Sequence, residues 1–575
     1  MSVQFDSLIV EWYNGIGSWI DLTPDIIWSQ SLPRGTRGIN STDISARTGG
    51  IGSLSFMLRN DEKNNAGVAG YYTPTHQNAI SVNWGKPYLY PVRIKVTYED
   101  RTKYLWYGTF ETGPSGVSVE AGSYAGRTVS VSFRDWMGLA QERKLNLLPS
   151  YSSQTIDQAY QILLDQLGAT EQPQGKLLRT GDSTFEAVFD DTNSGSTIFS
   201  EMAKLNQSEL GYGYVKADRL TGELLVTENR NLRYQSGGNL ETSISQDTGG
   251  SLLLETGDYL LLESGDQLLL NSAFKAASGI SLSNAECGHL LLETGDALLN
   301  EDGGYILLNE RQSADFTEDH YIVSKGLSVN YYDNAYQSAR ISVQQKETGT
   351  SVIVLWSMEK PLAIGANETL TGIRGRYRDP AGGSSYVNGA NMVTPVITTD
   401  YLCFVNSNGT GTNLSANLTV TAEYGGAEVE YTITNSGAAG YITKLQARGY
   451  GVYSYDSLDI VLGDEVGKER LDIDLSYETD VTVGTKFAND IIRNINGSTT
   501  IQKLPIHVNK NTFTMNAFMD LDIGSLYNLT DPITAPEKNS PYFINGYEFE
   551  IFPTSDGLNI YWYLNGFPYS RVYIP

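Results

Sequence analysis

Residues 91–98 read PVRIKVTY and residues 129–133 read VSVSF. In the first, Val92, Ile94, Val96 and Tyr98 alternate with Arg93, Lys95 and Thr97. In the second, Val129, Val131 and Phe133 alternate with serines. A period of two puts every second side chain on one buried face, which is the signature of a strand with one wet side. Gly49-Gly50 and Gly113-Pro114-Ser115-Gly116 punctuate the surrounding sequence as turns. So many short strands are most simply closed as a barrel or sandwich, which hides their edges. Residues 1–146 are therefore read as an N-terminal β-barrel.

Moving outward, the pattern changes to a helical one in TIDQAYQILLDQLG (155–168). Ile156, Tyr160, Leu163, Leu164 and Leu167 share a face. Thr155 and Gln158 form a capping box, and Gly168 is placed as the C-cap. A second helix is predicted over 197–205 behind Ser196. YVKADRLTGELLVTENR (214–230) then reads as two strands turning at Thr221-Gly222. Residues 147–235 are assigned to a small α+β domain.

Residues 236–310 hold an eight-residue repeat: LLLETGDY (252–259), LLLESGDQ (260–267) and LLLN (268–271), returning as LLLETGDA (290–297) and YILLNE (305–310). Each unit is a short strand and a glycine turn. Both faces of such a meander or solenoid are apolar and need cover, so the segment is read as an insertion. Residues 311–345 return to strand pattern (HYIVSKGLSVNYYD). Residues 346–468 carry short strands at regular spacing (SVIVLWS, LTVTAEY, VEYTITN, KLQARGYGVY), the profile of a β-sandwich. The last segment, 469–575, opens with RLDIDLSYETD and is read as a second barrel with one helix over 486–496. The fold class is mainly β: β-barrels and a β-sandwich with a small α+β domain.

At 575 residues the chain has room for roughly four domains. It is 40% hydrophobic and 11% aromatic, and rich in Tyr (37) and Gly (58), enough for several cores. The net charge is −26, opposite in sign to the basic patch that nucleic acid or an anionic membrane requires. Solubility explains that balance, and a channel wall that does not grip phosphate would share it. Cys287 and Cys403 form no disulfide framework, as expected in a reducing compartment. MSVQFDSLIVEWYNG is no signal peptide, and no apolar run reaches the roughly 20 residues needed to span a bilayer. The Asn-X-Ser/Thr triplets at Asn367 and Asn417 are by-products of composition.

Candidate chemistry is sparse. His76, His289, His320 and His507 are scattered, with no metal-ligand spacing. Neither cysteine has a nucleophile signature, and Cys403 in DYLCFVNS reads as a small buried residue. Gly409 and Gly411 mark a turn, since the third glycine and following helix of a dinucleotide fingerprint are missing. Glycan-cleaving enzymes need only two carboxylates, which brings forward Asp190-Asp191, Asp472 with Asp474, and Asp520 with Asp522. The last two pairs are read as wet faces of alternating strands. Tyr561–Leu564 (YWYL) is read as core and interface rather than a sugar or base platform. Thus no catalytic, cofactor-binding or metal residue is assigned, no cofactor is expected, and the chain is read as no enzyme.

The order of segments resembles the minor tail proteins of tailed phages. The resemblance rests on WIDLTPDI (19–26), SLSFMLRNDEKN (53–64), YYTPTHQNAI (71–80), PVRIKVTYED (91–100) with YLWYGTFE (104–111), DWMGLAQ (135–141) and ELLVTENR (223–230). It continues in EKPLAIGANETLTGIRGRYRDP (359–380), TITNSGAAGYITKLQARGYG (432–451), GKERLDIDLSYETD (467–480), and YFINGYEFEIF (542–552) followed by LNIYWYLNG (558–566). It touches nearly the whole chain outside about 240–310. It implies a tail-tip or baseplate hub in the virion, assembled in the host cytoplasm. In such hubs two tube-like barrels per subunit, here 1–146 and 469–575, let a homotrimer present six units to a six-fold tube. Implied partners are a distal tail protein or the tail tube, the C-terminal end of the tape-measure protein, tail fibres or receptor-binding proteins, and DNA passing without specific binding. The leucine-rich insert, a possible plug or oligomer contact, departs from the family, and no hydrolase or fibre follows the last barrel. The rival readings are a receptor-binding adhesin and an enzyme acting on host-surface glycans.

Overall fold

The structure is a computed structural model. It describes residues 3–568 except 30, 40, 100, 113–115, 122–126, 146, 193–194, 218–221, 231–279, 283–287, 290–306, 309–311, 334–335, 379–386, 464–468, 493–497 and 535–541. The repeats at 252–271 and 290–297 lie outside these residues. The chain is mainly β, with five α-helices among the described residues.

Strand Val92–Tyr98 is buried at every second residue, as its alternation requires. It lies between Ser7–Tyr13 and Arg101–Phe110, all antiparallel. Ser53–Arg59 pairs with Arg127–Arg134 in the same way. The sheet does not stop at the N-terminal segment. Arg34–Gly38 pairs antiparallel with the last segment, Arg34 opposite Glu550 and Gly38 opposite Gly546. The two ends of the chain therefore share one 15-stranded sheet whose path ends at Trp19–Asp21 and at Ile280–Leu282.

The joint demands glycine. A Cβ on Gly35 would stand 2.5 Å from the Phe549 ring, and Gly38, at φ +88°, would drive one to 2.6 Å from the Asn545 carbonyl. One hydrophobic core runs beneath both ends, combining Trp12, Trp106 and Phe133 with Phe518, Tyr547 and Trp562. The last segment contains a helix that alternation concealed. Residues 512–520 form α5 (Thr512–Asp520), not a strand, because Asn511 caps it by accepting the Thr514 N–H at 2.9 Å. Lys103 donates to the Phe518 and Leu521 carbonyls at 2.7 and 2.5 Å, closing that helix's C-terminal end.

The α+β unit holds α1 (Trp136–Glu142), α2 (Ile156–Leu164) and α3 (Ile198–Glu209) around a second core. The predicted capping box forms, with Gln158 accepting the Thr155 N–H at 3.1 Å. Helix α2 stops at Leu164, four residues before Gly168, with Asp165 as its C-cap. Helix α3 is capped by Thr197 rather than Ser196. Strands Tyr212–Lys216 and Leu224–Glu228 form the expected hairpin.

Strand Arg470–Leu475 does not join the strands that follow it. It pairs parallel with Ser338–Val343, which also pairs antiparallel with Leu458–Gly463. Helix α4 (Val481–Asp490) covers this small sheet and begins five residues before the predicted start, because Asp480 caps it by accepting the Thr482 N–H at 2.7 Å. The sandwich lies between. Its spine, Gly440–Ser454, is flanked by Lys346–Thr348, Ile353–Ser357 and Leu362–Ile364 on one side and by Asn388–Ala390 and Tyr401–Phe404 on the other. A second sheet, Thr369–Arg376, Glu428–Asn435 and Leu418–Tyr424, packs across its core.

Candidate functional site

The N-terminal motifs are brought together as structure. Asn60, at the end of SLSFMLRN, accepts the Tyr72 N–H at 2.8 Å and donates to the Thr73 hydroxyl at 2.8 Å. Asp25 of LTPDI is buried and accepts the Tyr72 hydroxyl at 2.6 Å and the Asn65 N–H at 2.7 Å. Three segments read separately in the sequence thus close into one hydrogen-bonded knot.

The acidic pairs divide. Asp472 and Asp474 lie on the exposed face of their strand. Asp520 ends α5 and binds Arg101 through both oxygens at 3.0 Å, while Asp522 accepts the Ala217 N–H at 3.1 Å. These two belong to a helix end and the turn after it, so the alternating-strand reading is corrected. Asp190 is 2% exposed and bonds Lys346 at 2.6 Å, and the neighbouring Asp191 pairs with Lys204 at 2.9 Å.

Asp190 and Asp191 do border a cleft of about 700 Å³ between the α+β unit and the sandwich. Its other charges are Arg374, Arg376, Glu423, Glu428 and Glu430. Arg374 is held by Glu430 at 2.8 Å, and among the described residues no histidine, cysteine or serine lines the walls. No group of three metal-ligating side chains gathers anywhere among the described residues. His320 stacks on Phe513 at 4.1 Å and His507 lies by Tyr561 at 5.4 Å; burial lowers the pKa of both. Burial raises the Cys403 thiol, keeping it protonated. Cys287 and the side chain of His289 lie outside the described residues. Phe552 stacks on Tyr561 at 4.1 Å within the last hairpin, and Trp562 is buried.

Sequence reading missed the buried carboxylates at the edges of the α+β unit: Asp135, Glu201, Glu209 and Glu223. Burial lifts Asp135 to about 6 and Glu209 and Glu223 to about 7, against the pull of Arg37 on Asp135 and Glu223 and of Arg230 on Glu209. Only Asp135 left a trace in the sequence, as the Asp that opens DWMGLAQ.

No protein-family model matches the chain, and no curated protein matches it. Among solved structures, a tail protein from Neisseria meningitidis aligns over 97% of this chain and 96% of its own length at 8% identity and TM-score 0.41. A prophage tail protein from Listeria monocytogenes aligns over 96% and 94% at 7% identity and TM-score 0.33. A type VI secretion component from E. coli, described as similar to T4 phage tail proteins, aligns over 36% of this chain and half of its own at 15% identity and TM-score 0.22. At these scores the likenesses carry no argument about function.

Proposed function

We propose that this chain is a structural protein of a tailed-phage virion, the hub that terminates the tail tube, organises the tip and encloses the channel through which DNA leaves. The observation that carries this reading is the joint between Arg34–Gly38 and Gly546–Glu550, which sets the first and last β units side by side in one sheet. That is the arrangement by which three copies would offer six units to a six-fold tube. The ordered tail-protein motifs support it, and so does a lumen-compatible charge of −26. The hub would seat the tail tube or a distal tail protein above, take the end of the tape-measure protein within, and hold fibres or receptor-binding proteins outside.

Immunogold electron microscopy of purified particles, with antibody against 346–468, tests it. Label confined to the tail tip near the tube axis is expected. Label on peripheral fibres, or absence of the chain from particles by mass spectrometry, would overturn it.

A further inference from the structure

Among the described residues, one strand edge is bare where its sequence is apolar. Leu458–Gly463 (LDIVLG) is an outer strand of the sheet it forms with Ser338–Val343 and Arg470–Leu475. None of its residues is buried, and Leu458 is 48% exposed. Its one charged side chain, Asp459, is already held by Arg340 through hydrogen bonds of 2.9 and 3.0 Å. The opposite edge, Arg470–Leu475, carries Arg470, Asp472 and Asp474 at its exposed positions. Charges placed like that keep an edge from pairing, whereas a bare apolar edge is a template for another strand.

The backbone of this edge is oriented to pair. Gln344, just past the central strand, donates its N–H to the Leu475 carbonyl at 3.4 Å, so even-numbered residues of Ser338–Val343 bond toward Arg470–Leu475. The odd-numbered ones bond the other way, to Leu458, Ile460 and Leu462. Asp459 and Val461 therefore turn their N–H and C=O groups outward, and no strand meets them among the described residues.

What fits there is a second copy of the same strand. Antiparallel self-pairing about a two-fold axis at Ile460 sets that residue opposite its own counterpart and Leu458 opposite Leu462, on the face that α4 covers. On the other face it sets Asp459 opposite Val461. No like charges meet, and apolar side chains exposed in one copy cover each other in two. Full-length pairing with Arg470–Leu475 of another copy would instead set Asp459 against Asp474, a like-charge pair. The helices are compatible with self-pairing. A Cβ on Gly484 of α4 would lie 2.7 Å from both Ile460 and Val343, so α4 rides over the outer and central strands together. With strands about 4.8 Å apart, the two copies of α4 would stand about 10 Å apart, near the spacing of packed helices.

We propose that two copies of the chain pair through this edge, joining their small sheets into one. A two-fold contact closes on itself, so it stands or falls separately from the three-copy ring proposed above.

Sedimentation velocity of the purified full chain reads the pairing. A monomer–dimer equilibrium is expected. Val461→Pro removes one outward N–H from each copy and no bond from the chain's own sheet, and should weaken the dimer by about tenfold. A chain that stays monomeric at every concentration, or an association that Val461→Pro leaves unchanged, would overturn the proposal. If Val461→Pro does not fold, Ile460→Cys decides in a Cys287→Ser background, where the remaining native thiol, Cys403, is buried. Counterparts at position 460 meet as a non-hydrogen-bonded pair, with Cα atoms about 4.5 Å apart and within disulfide reach. Mild oxidation should give a covalent dimer on non-reducing gels, and Asp472→Cys in the same background should give none. No covalent dimer from Ile460→Cys, or an equal yield from Asp472→Cys, overturns the pairing.

Discussion

The terminal sheet and the α+β unit solve the same problem, joining distant parts of one chain, by opposite means. At the terminal joint, residues more than 500 positions apart meet through backbone pairing and an apolar, aromatic core. Trp562 lies edge-on to Phe518 at 5.5 Å and to Tyr547 at 6.0 Å, and the buried Lys103 amine sits over the Phe518 and Trp562 rings at 4.9 and 5.5 Å. At the α+β unit's borders the cement is ionic: Asp135, Glu209 and Glu223 with Arg37 and Arg230, and Lys346 with Asp190. An apolar joint is indifferent to pH and all-or-none in failure; an ionic one is tunable and separable.

The strongest way to break the comparison is at Trp562. Trp562→Ala removes a buried indole shared by both ends of the chain, and large-to-small core changes of this kind cost about 4 kcal/mol. Denaturant unfolding followed by tryptophan fluorescence and by exchange in 92–98 should show both ends losing stability together. Loss limited to 498–568 would show that the ends are separate bodies. Next comes Lys346→Met, which strands Asp190 in the junction with the sandwich. Removing one partner of a buried pair costs about 3 kcal/mol, read here as protease cleavage between the sandwich and α+β unit at unchanged core stability. Asp190→Asn on that background should restore part of the loss.

The third contrast is with pH. Burial raises Glu209 and Glu223 to about 7, above their unfolded values, so the stability they contribute is present below about pH 4.5 and is lost as pH rises to 7. Unfolding free energies at pH 5 and pH 7.5 should therefore differ by about 5 kcal/mol in favour of pH 5, roughly half from each group. E209Q and E223Q should each narrow the gap, and Trp562→Ala should leave it unchanged.

What the sequence disclosed follows the same line between apolar and ionic. Strands such as Val92–Tyr98 and Arg470–Leu475, the Thr155–Gln158 box and the sandwich were legible because period and capping are local properties. Partner choice was not: Arg470–Leu475 has the pattern of any one-faced strand, and nothing in it says that Ser338–Val343 will be its neighbour. Helix α5 was hidden because MDLDIG alternates by composition, while its cap, Asn511, sits outside that stretch. The buried carboxylates were illegible for the plainest reason. An acid becomes unusual only when tertiary packing strips its water, and Glu209 and Glu223 stand in segments otherwise ordinary for a surface.

The smallest expected effect sharpens the contrast from its other end. Asp472 and Asp474 are also acids two residues apart, yet their strand alternates with Leu471, Ile473 and Leu475 turned inward, leaving both carboxylates in water. Their partners are surface ones: Arg470 at 2.8 Å from Asp472, with Arg340 farther off at 4.0 Å. Exposed pairs of this kind contribute little, because solvent screens them and ordering two long side chains opposes the gain. Asp472→Asn with Asp474→Asn should accordingly change stability by no more than about 0.5 kcal/mol at any pH from 5 to 8. Particle assembly should be normal, and no hydrolysis of cell-wall or capsule material should be lost. A larger effect, or an activity abolished by the pair, would mean that this face works as a site and that burial is the wrong criterion for telling this protein's structural acids from its idle ones.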